Sequence, residues 1–111
     1  MEHTVVGKLL SGGYIEQHDF DMRNDRFNMR VDVLSNDILS SYDVRFEKVS
    51  YVAFENESTR KDDRLQFTEI GFKETPGLSS SEEWTVIISM WDTTHLTIRC
   101  SAIEVNGEPL R

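Results

Sequence analysis

Three times along this chain, two apolar residues spaced by two are followed, after a step of three, by two more spaced by two. Val44, Phe46, Val49 and Tyr51 form one copy; Leu65, Phe67, Ile70 and Phe72 a second; Ile98, Cys100, Ile103 and Val105 a third. Spacing by two puts side chains on one face of a β-strand, so the step of three must be absorbed by a bulge, a kink or a change of face. The copies do not recur at a fixed period, so the rhythm reflects strand curvature and not an internal repeat. A chain written this way predicts a curved, mostly β domain.

The rest of the sequence supplies further strands. Phe27, Met29, Val31 and Val33 alternate against Asn28, Arg30 and Asp32, the clearest strand of the first half. Trp84, Val86, Ile88 and Met90 are answered by Leu96, Ile98 and Cys100, which predicts an antiparallel hairpin over 84–102. Tyr14-Ile15, Phe20 and Met22 read as one broken strand, and Arg23-Asn24-Asp25-Arg26 as a turn. Residues 35–41 predict a loop or short helix capped by Asn36 or Asp37, followed by a strand pair over 42–47 and 48–55. Polar stretches at 56–64 and 73–83 predict exposed connections. The segment 4–11 suits either a short amphipathic helix ended by Gly12-Gly13 or an edge strand, with helix or irregular structure preferred. Asn106-Gly107 predicts a turn with a tail folding back. The expected fold is all-β and mainly antiparallel, a curved β-sandwich or partly open barrel of about seven strands with at most one or two short helices. One domain over 1–111 accommodates it, a size that buries roughly 65% of the unfolded surface.

Charge narrows the partners. Twenty acidic residues against twelve basic ones give a net charge of −8, a field that repels phosphate backbones and anionic membranes. The expectation is therefore no nucleic acid and no membrane, in a cytoplasmic protein: no apolar run reaches the ~20 residues of a membrane span. Met1-Glu2-His3-Thr4 lacks the opening of a signal peptide. Cys100 is the only cysteine, sits in an alternating apolar run, and reads as a buried small hydrophobe.

Candidate sites are sparse. His18-Asp19 with Asp21 has the donor chemistry of a metal site, but alternation puts His18 and Phe20 on one face and the aspartates on the other, so a solvated or turn-capping pair is the plainer reading. Trp91-Asp92-Thr93-Thr94-His95 offers an aromatic ring, a carboxylate, hydroxyls and an imidazole at a hairpin tip; Trp91, Asp92, Thr94 and His95 are the binding candidates. The plainer alternative folds Trp91 onto the sheet and spends Asp92 and the threonines on turn hydrogen bonds. The serines at 79–81 lack a nucleophile elbow, and no HExxH, paired CxxC, EF-hand or phosphate-loop pattern is present. No catalytic residue and no cofactor are assigned.

The run from His18-Asp19-Phe20 through Tyr42-Asp43-Val44-Arg45-Phe46-Glu47-Lys48-Val49 to Ile98-Arg99-Cys100 resembles small bacterial all-β domains, some of which look like immunity proteins of contact-dependent or secreted toxin systems. The resemblance implies inhibition by binding, with an acidic surface complementing a basic toxin. The first expectation is thus a non-enzymatic module that binds a protein partner, as an immunity-type inhibitor or adaptor. The alternatives are a small-ligand module with a cavity built around Tyr51, Phe72 and Trp84, and a metal-dependent enzyme using His18, Asp19 and His95. Exposed edge strands would also permit a homodimer.

Overall fold

Alternation at Phe27, Met29, Val31 and Val44, Phe46 does what period two dictates: each of these side chains is buried, with polar neighbours turned outward. A computed structural model describes residues 2–56, 67–75, 83–90 and 94–110. Among these residues are one helix, α1 (His3–Leu10), and nine strands: β1 (Tyr14–Asp21), β2 (Arg26–Ser35), β3 (Ile38–Glu47), β4 (Tyr51–Asn56), β5 (Phe67–Thr75), β6 (Glu83–Met90), β7 (Thr94–Cys100), β8 (Ala102–Val105) and β9 (Glu108–Pro109). All pairings are antiparallel. One sheet has the order β1-β2-β3-β8-β9 and the other β4-β7-β6-β5. The fold is an all-β sandwich with one short helix. Buried residues of both sheets, with Val6 and Leu10 of the helix, form one apolar cluster.

The recurring step of three has two physical meanings here. In the first and third copies it is a passage between sheets. β3 ends at Glu47, Lys48 takes the left-handed region (φ 53), Val49 plugs the corner, and β4 starts in the second sheet. β7 ends at Cys100, and after Ser101 the chain enters β8 of the first sheet. The corners lock each other: Ser50 N donates to Arg99 O (2.9 Å) and Ser101 N donates to Glu47 O (3.0 Å). Strands that change sheets at a bend are a standard way to close a two-layer β core. In the second copy the step is a bulge, where the β5–β6 register shifts between Phe67 and Glu69.

Three expectations about particular segments need correction. Residues 35–41 are neither loop nor helix: β2 and β3 run into a two-residue turn in which Asn36 (φ 51) and Asp37 (φ 64) are both left-handed. Asn and Asp tolerate that region, which matches the twist of a tight hairpin. Segments 42–47 and 48–55 do not pair, because the corner sends the second into the other sheet, and Tyr51 is consequently 48% exposed. Of the connection foreseen over 73–83, the first residues through Thr75 belong to β5 and Glu83 opens β6, while residues 76–82 lie outside the described residues. Against about seven strands expected, the described residues hold nine, with the two-residue β9 and the division of the chain at the corners.

The preference for helix at the N-terminus holds, as does the Asn106-Gly107 turn (φ 51 and 81), after which Leu110 N donates to Ile103 O (2.8 Å). Gly13 is required by space. A Cβ there would lie 2.7 Å from Val31 Cγ1 and 2.9 Å from Leu10 O, so the helix end sits directly on β2.

Candidate functional site

The polar half of the alternation assembles a surface of its own. Register places Asp21, Arg26 and Glu47 in one cross-strand row on the outer face of the five-stranded sheet; Asp19, Asn28, Arg45 and Glu104 in the next; then Gln17, Arg30 and Asp43; then Tyr14, Asp32 and Ser41. An open depression of about 690 Å³ lies there, lined in part by Gln17, Asp19, Asn28, Arg30, Asp43 and Arg45. A smaller one of about 320 Å³ adjoins it at Asp43, Arg45, Glu104, Asn106 and Gly107. Asn106 holds this end in place: its Oδ1 accepts from Asp43 N and its own N donates to Asp43 O, both at 2.8 Å.

Charges on this face are unevenly satisfied. Arg26 Nε donates to Glu47 Oε1 at 2.9 Å, and Arg45 Nε lies 3.8 Å from the same oxygen. Arg30 Nε is shut off from solvent and has Asp32 Oδ1 at 3.5 Å, too long for a good hydrogen bond, while that oxygen already accepts from Ser41 Oγ at 2.6 Å. All three guanidiniums therefore face internal carboxylates. Among the described residues, Asp19, Asp43 and Glu104 have no cationic partner within ion-pair distance. The face carries an excess of negative charge that nothing on the sheet neutralises.

Of the sequence-predicted residues that are described, only Asp19 and Asp21 join this face. His18 and Asp19 point to opposite faces, as alternation required: His18 stacks near Phe27 (centroids 6.5 Å apart, planes at 5°), and Asp19 belongs to the charged face. Among the described residues no cluster of three or more His, Cys, Asp or Glu side chains could hold a metal. Trp91 and Asp92 lie outside the described residues. Thr94 and His95 are strand residues of β7, with Thr94 buried (5% exposed) and His95 half-buried. Tyr51 is on the outside of the second sheet, where Arg99 sits over its ring at 5.4 Å, whereas Trp84 is in the core; these two do not share a cavity, and the Phe72 side chain lies outside the description.

A family model described as YxiG-like protein matches residues 3–109. The chain belongs to the YxiG-like family. No curated protein matches the sequence.

One cluster in this YxiG-like chain invites a catalytic reading. Ser89, His95 and Glu55 are aligned across β6, β7 and β4, with Ser89 Oγ and His95 Nδ1 sharing a hydrogen bond at 3.3 Å. In a serine triad the hydroxyl bonds to Nε2, and Nδ1 is reserved for the carboxylate that orients the ring. Here it is Nδ1 that shares the bond with the hydroxyl, so the row does not reproduce that arrangement. What sequence reasoning missed was the charged face. Its signal was present in the polar residues at every second position of β1, β2 and β3, but only the strand order brings them together.

Proposed function

We propose that this YxiG-like protein is a non-enzymatic binding module that engages a basic protein partner through the outer face of its five-stranded sheet. The observation that carries the reading is an open depression on an exposed sheet face whose arginines are internally paired and whose Asp19, Asp43 and Glu104 are not. Such a surface accepts lysine and arginine side chains over a broad area. It steers encounter through long-range attraction, in line with the overall charge of −8. An open, shallow site of this kind suits a protein surface better than a small ligand, which needs enclosure over most of its area. An immunity-type inhibitor or adaptor is the role that fits this chemistry.

The test is affinity purification with the tagged protein from lysate of its own source, washed at low and then moderate salt, followed by titration of the recovered protein in pure form. A stoichiometric basic partner is expected. The variant Asp19→Asn/Asp43→Asn/Glu104→Gln should weaken it by about tenfold or more, which corresponds to ~1.4 kcal/mol, and flatten its salt dependence. An empty capture, or a partner whose affinity and salt dependence the triple variant leaves alone, removes the reading.

A further inference from the structure

Beyond the charged face, the β2–β3 hairpin ends in an apolar tip that the other described residues leave bare. Pairing with β1 stops at Tyr14–Asp32 and pairing with β8 starts at Val44–Val105, so Val33–Ser40, Leu34–Leu39 and Ser35–Ile38 are held only by each other. Val33 still packs against the core at the helix end, but Leu34, Ile38 and Leu39 are 64%, 67% and 64% exposed. Leu34 and Leu39 continue the outer charged face, and Ile38 faces the opposite way. The tip is therefore apolar on both sides. A flat surface could cover one side only; a cleft covers both.

We propose that this tip is a wedge that inserts into an apolar cleft on a protein partner, with the cleft rimmed by basic residues. The inference rests on the protein-binding reading above and adds where the apolar contact is made. Two observations choose this occupant. Between Arg30 and Arg45 the chain carries no basic residue, and while Asp32 faces Arg30, Asp37 and Asp43 have no cationic partner within ion-pair distance among the described residues, so an anionic bilayer and a second copy of this acidic chain are both repelled. The wedge is also set in advance: a two-residue turn with both central residues left-handed fixes the register, and Ser41 Oγ donates to Asp32 Oδ1 (2.6 Å) across the strands. Little ordering is left to be done on binding, the condition under which a small number of buried aliphatic side chains can dominate an interface.

The experiment places a photoreactive p-benzoylphenylalanine at Ile38, or at Lys8 on the helix as a control, in the tagged full-length chain in lysate of its source. The protein crosslinked from position 38 is then purified and titrated with the wild type and with Leu34→Thr/Ile38→Thr/Leu39→Thr. Threonine keeps the strand preference, and an unchanged melting temperature confirms that the hairpin is intact. Expected are a basic adduct specific to position 38 and a loss of affinity of about 30-fold or more in the threonine variant. The proposal is overturned by a self-adduct, by equal labelling from Lys8, by flotation with phosphatidylcholine–phosphatidylglycerol vesicles, or by an affinity within threefold of wild type. If the carboxylate variant weakens a complex that the threonine variant does not, the wedge fails and the charged face stands. If no position yields a partner, both fail.

Discussion

The β2–β3 and β6–β7 hairpins are written in the same alternating code, yet they use it in different ways. In β6–β7 the apolar set is consumed by the core: Trp84, Val86, Ile88 and Met90 on one strand and Leu96, Ile98 and Cys100 on the other are all buried. In β2–β3 the buried set stops at Val31 and Val44, and the apolar residues continue past it into solvent as Leu34, Ile38 and Leu39. Apolar alternation thus says that a strand has a face. It does not say whether the molecule covers that face, which depends on how far the neighbouring strands extend.

The largest test of this contrast sets Ile98→Ala against Leu39→Ala. Ile98 is fully buried in the middle of the second sheet, and truncation there removes apolar contact and leaves a cavity, for an expected loss of about 2–5 kcal/mol. Leu39 lies in the open, and its truncation should change stability by less than ~0.5 kcal/mol. Urea denaturation of both variants decides the matter. Comparable losses would mean that the tip is part of the core, and the wedge would lose its basis.

Next in size is Gly13→Ala, which probes the boundary between covered and bare. The added methyl would meet Val31 Cγ1 and the fixed carbonyl of Leu10, so the helix must shift away from β2. The expected cost is about 1–3 kcal/mol. A neutral result would show that the helix end does not clamp the base of the hairpin.

Much of this contrast was legible in the sequence up to the point where strand order takes over. The 84–102 hairpin, the buried Cys100 and the opposed faces of His18 and Asp19 all followed from period two. The step of three announced a disturbance but not its kind, because a bulge and a passage between sheets displace the side-chain pattern alike; only the pairing partners of Tyr51 and Ile103 separate them. The Asn36-Asp37 turn was hidden because a sequence with no glycine reads as a cap as readily as a left-handed turn. The charged face was out of reach for a different reason: Asp19, Asp43 and Glu104 come from strands whose order the chain does not state.

The two left-handed turns of the first sheet give a smaller comparison. Asn106-Gly107 has glycine at the second position and a side-chain bond from Asp43 N to Asn106 Oδ1, whereas Asn36-Asp37 carries a side chain at both positions. Asn106→Ala should cost about 1–2 kcal/mol through the lost bond and the strained φ. Asp37→Gly should gain about 0.5–1 kcal/mol by relieving the same strain. Thermal denaturation of the two variants reads both signs, and a loss at Asp37 would show that its carboxylate holds the wedge in shape.

The smallest effect concerns the turn between β1 and β2, at the opposite end of β2 from the wedge. Asp21 accepts from Asn24 Nδ2 (2.8 Å), Arg23 N (3.1 Å) and Asn24 N (3.3 Å). The Asn24 side-chain bond, helped by these backbone donors and by Arg26, holds its carboxyl below the ordinary value of 3.8. A carboxyl depressed in the folded state contributes stability above its unfolded value and loses that contribution as the pH falls through the folded one. The melting temperature of Asp21→Asn should therefore lie slightly below wild type from neutral pH down to about pH 4, with the gap closing on further acidification. The carboxylate lies in a surface turn and is only partly covered, so the gap should be the smallest of those foreseen here and should shrink with added salt. A gap that widens in acid would show that the Asp21 charge is unfavourable in the folded protein, and that the turn is held by its backbone alone.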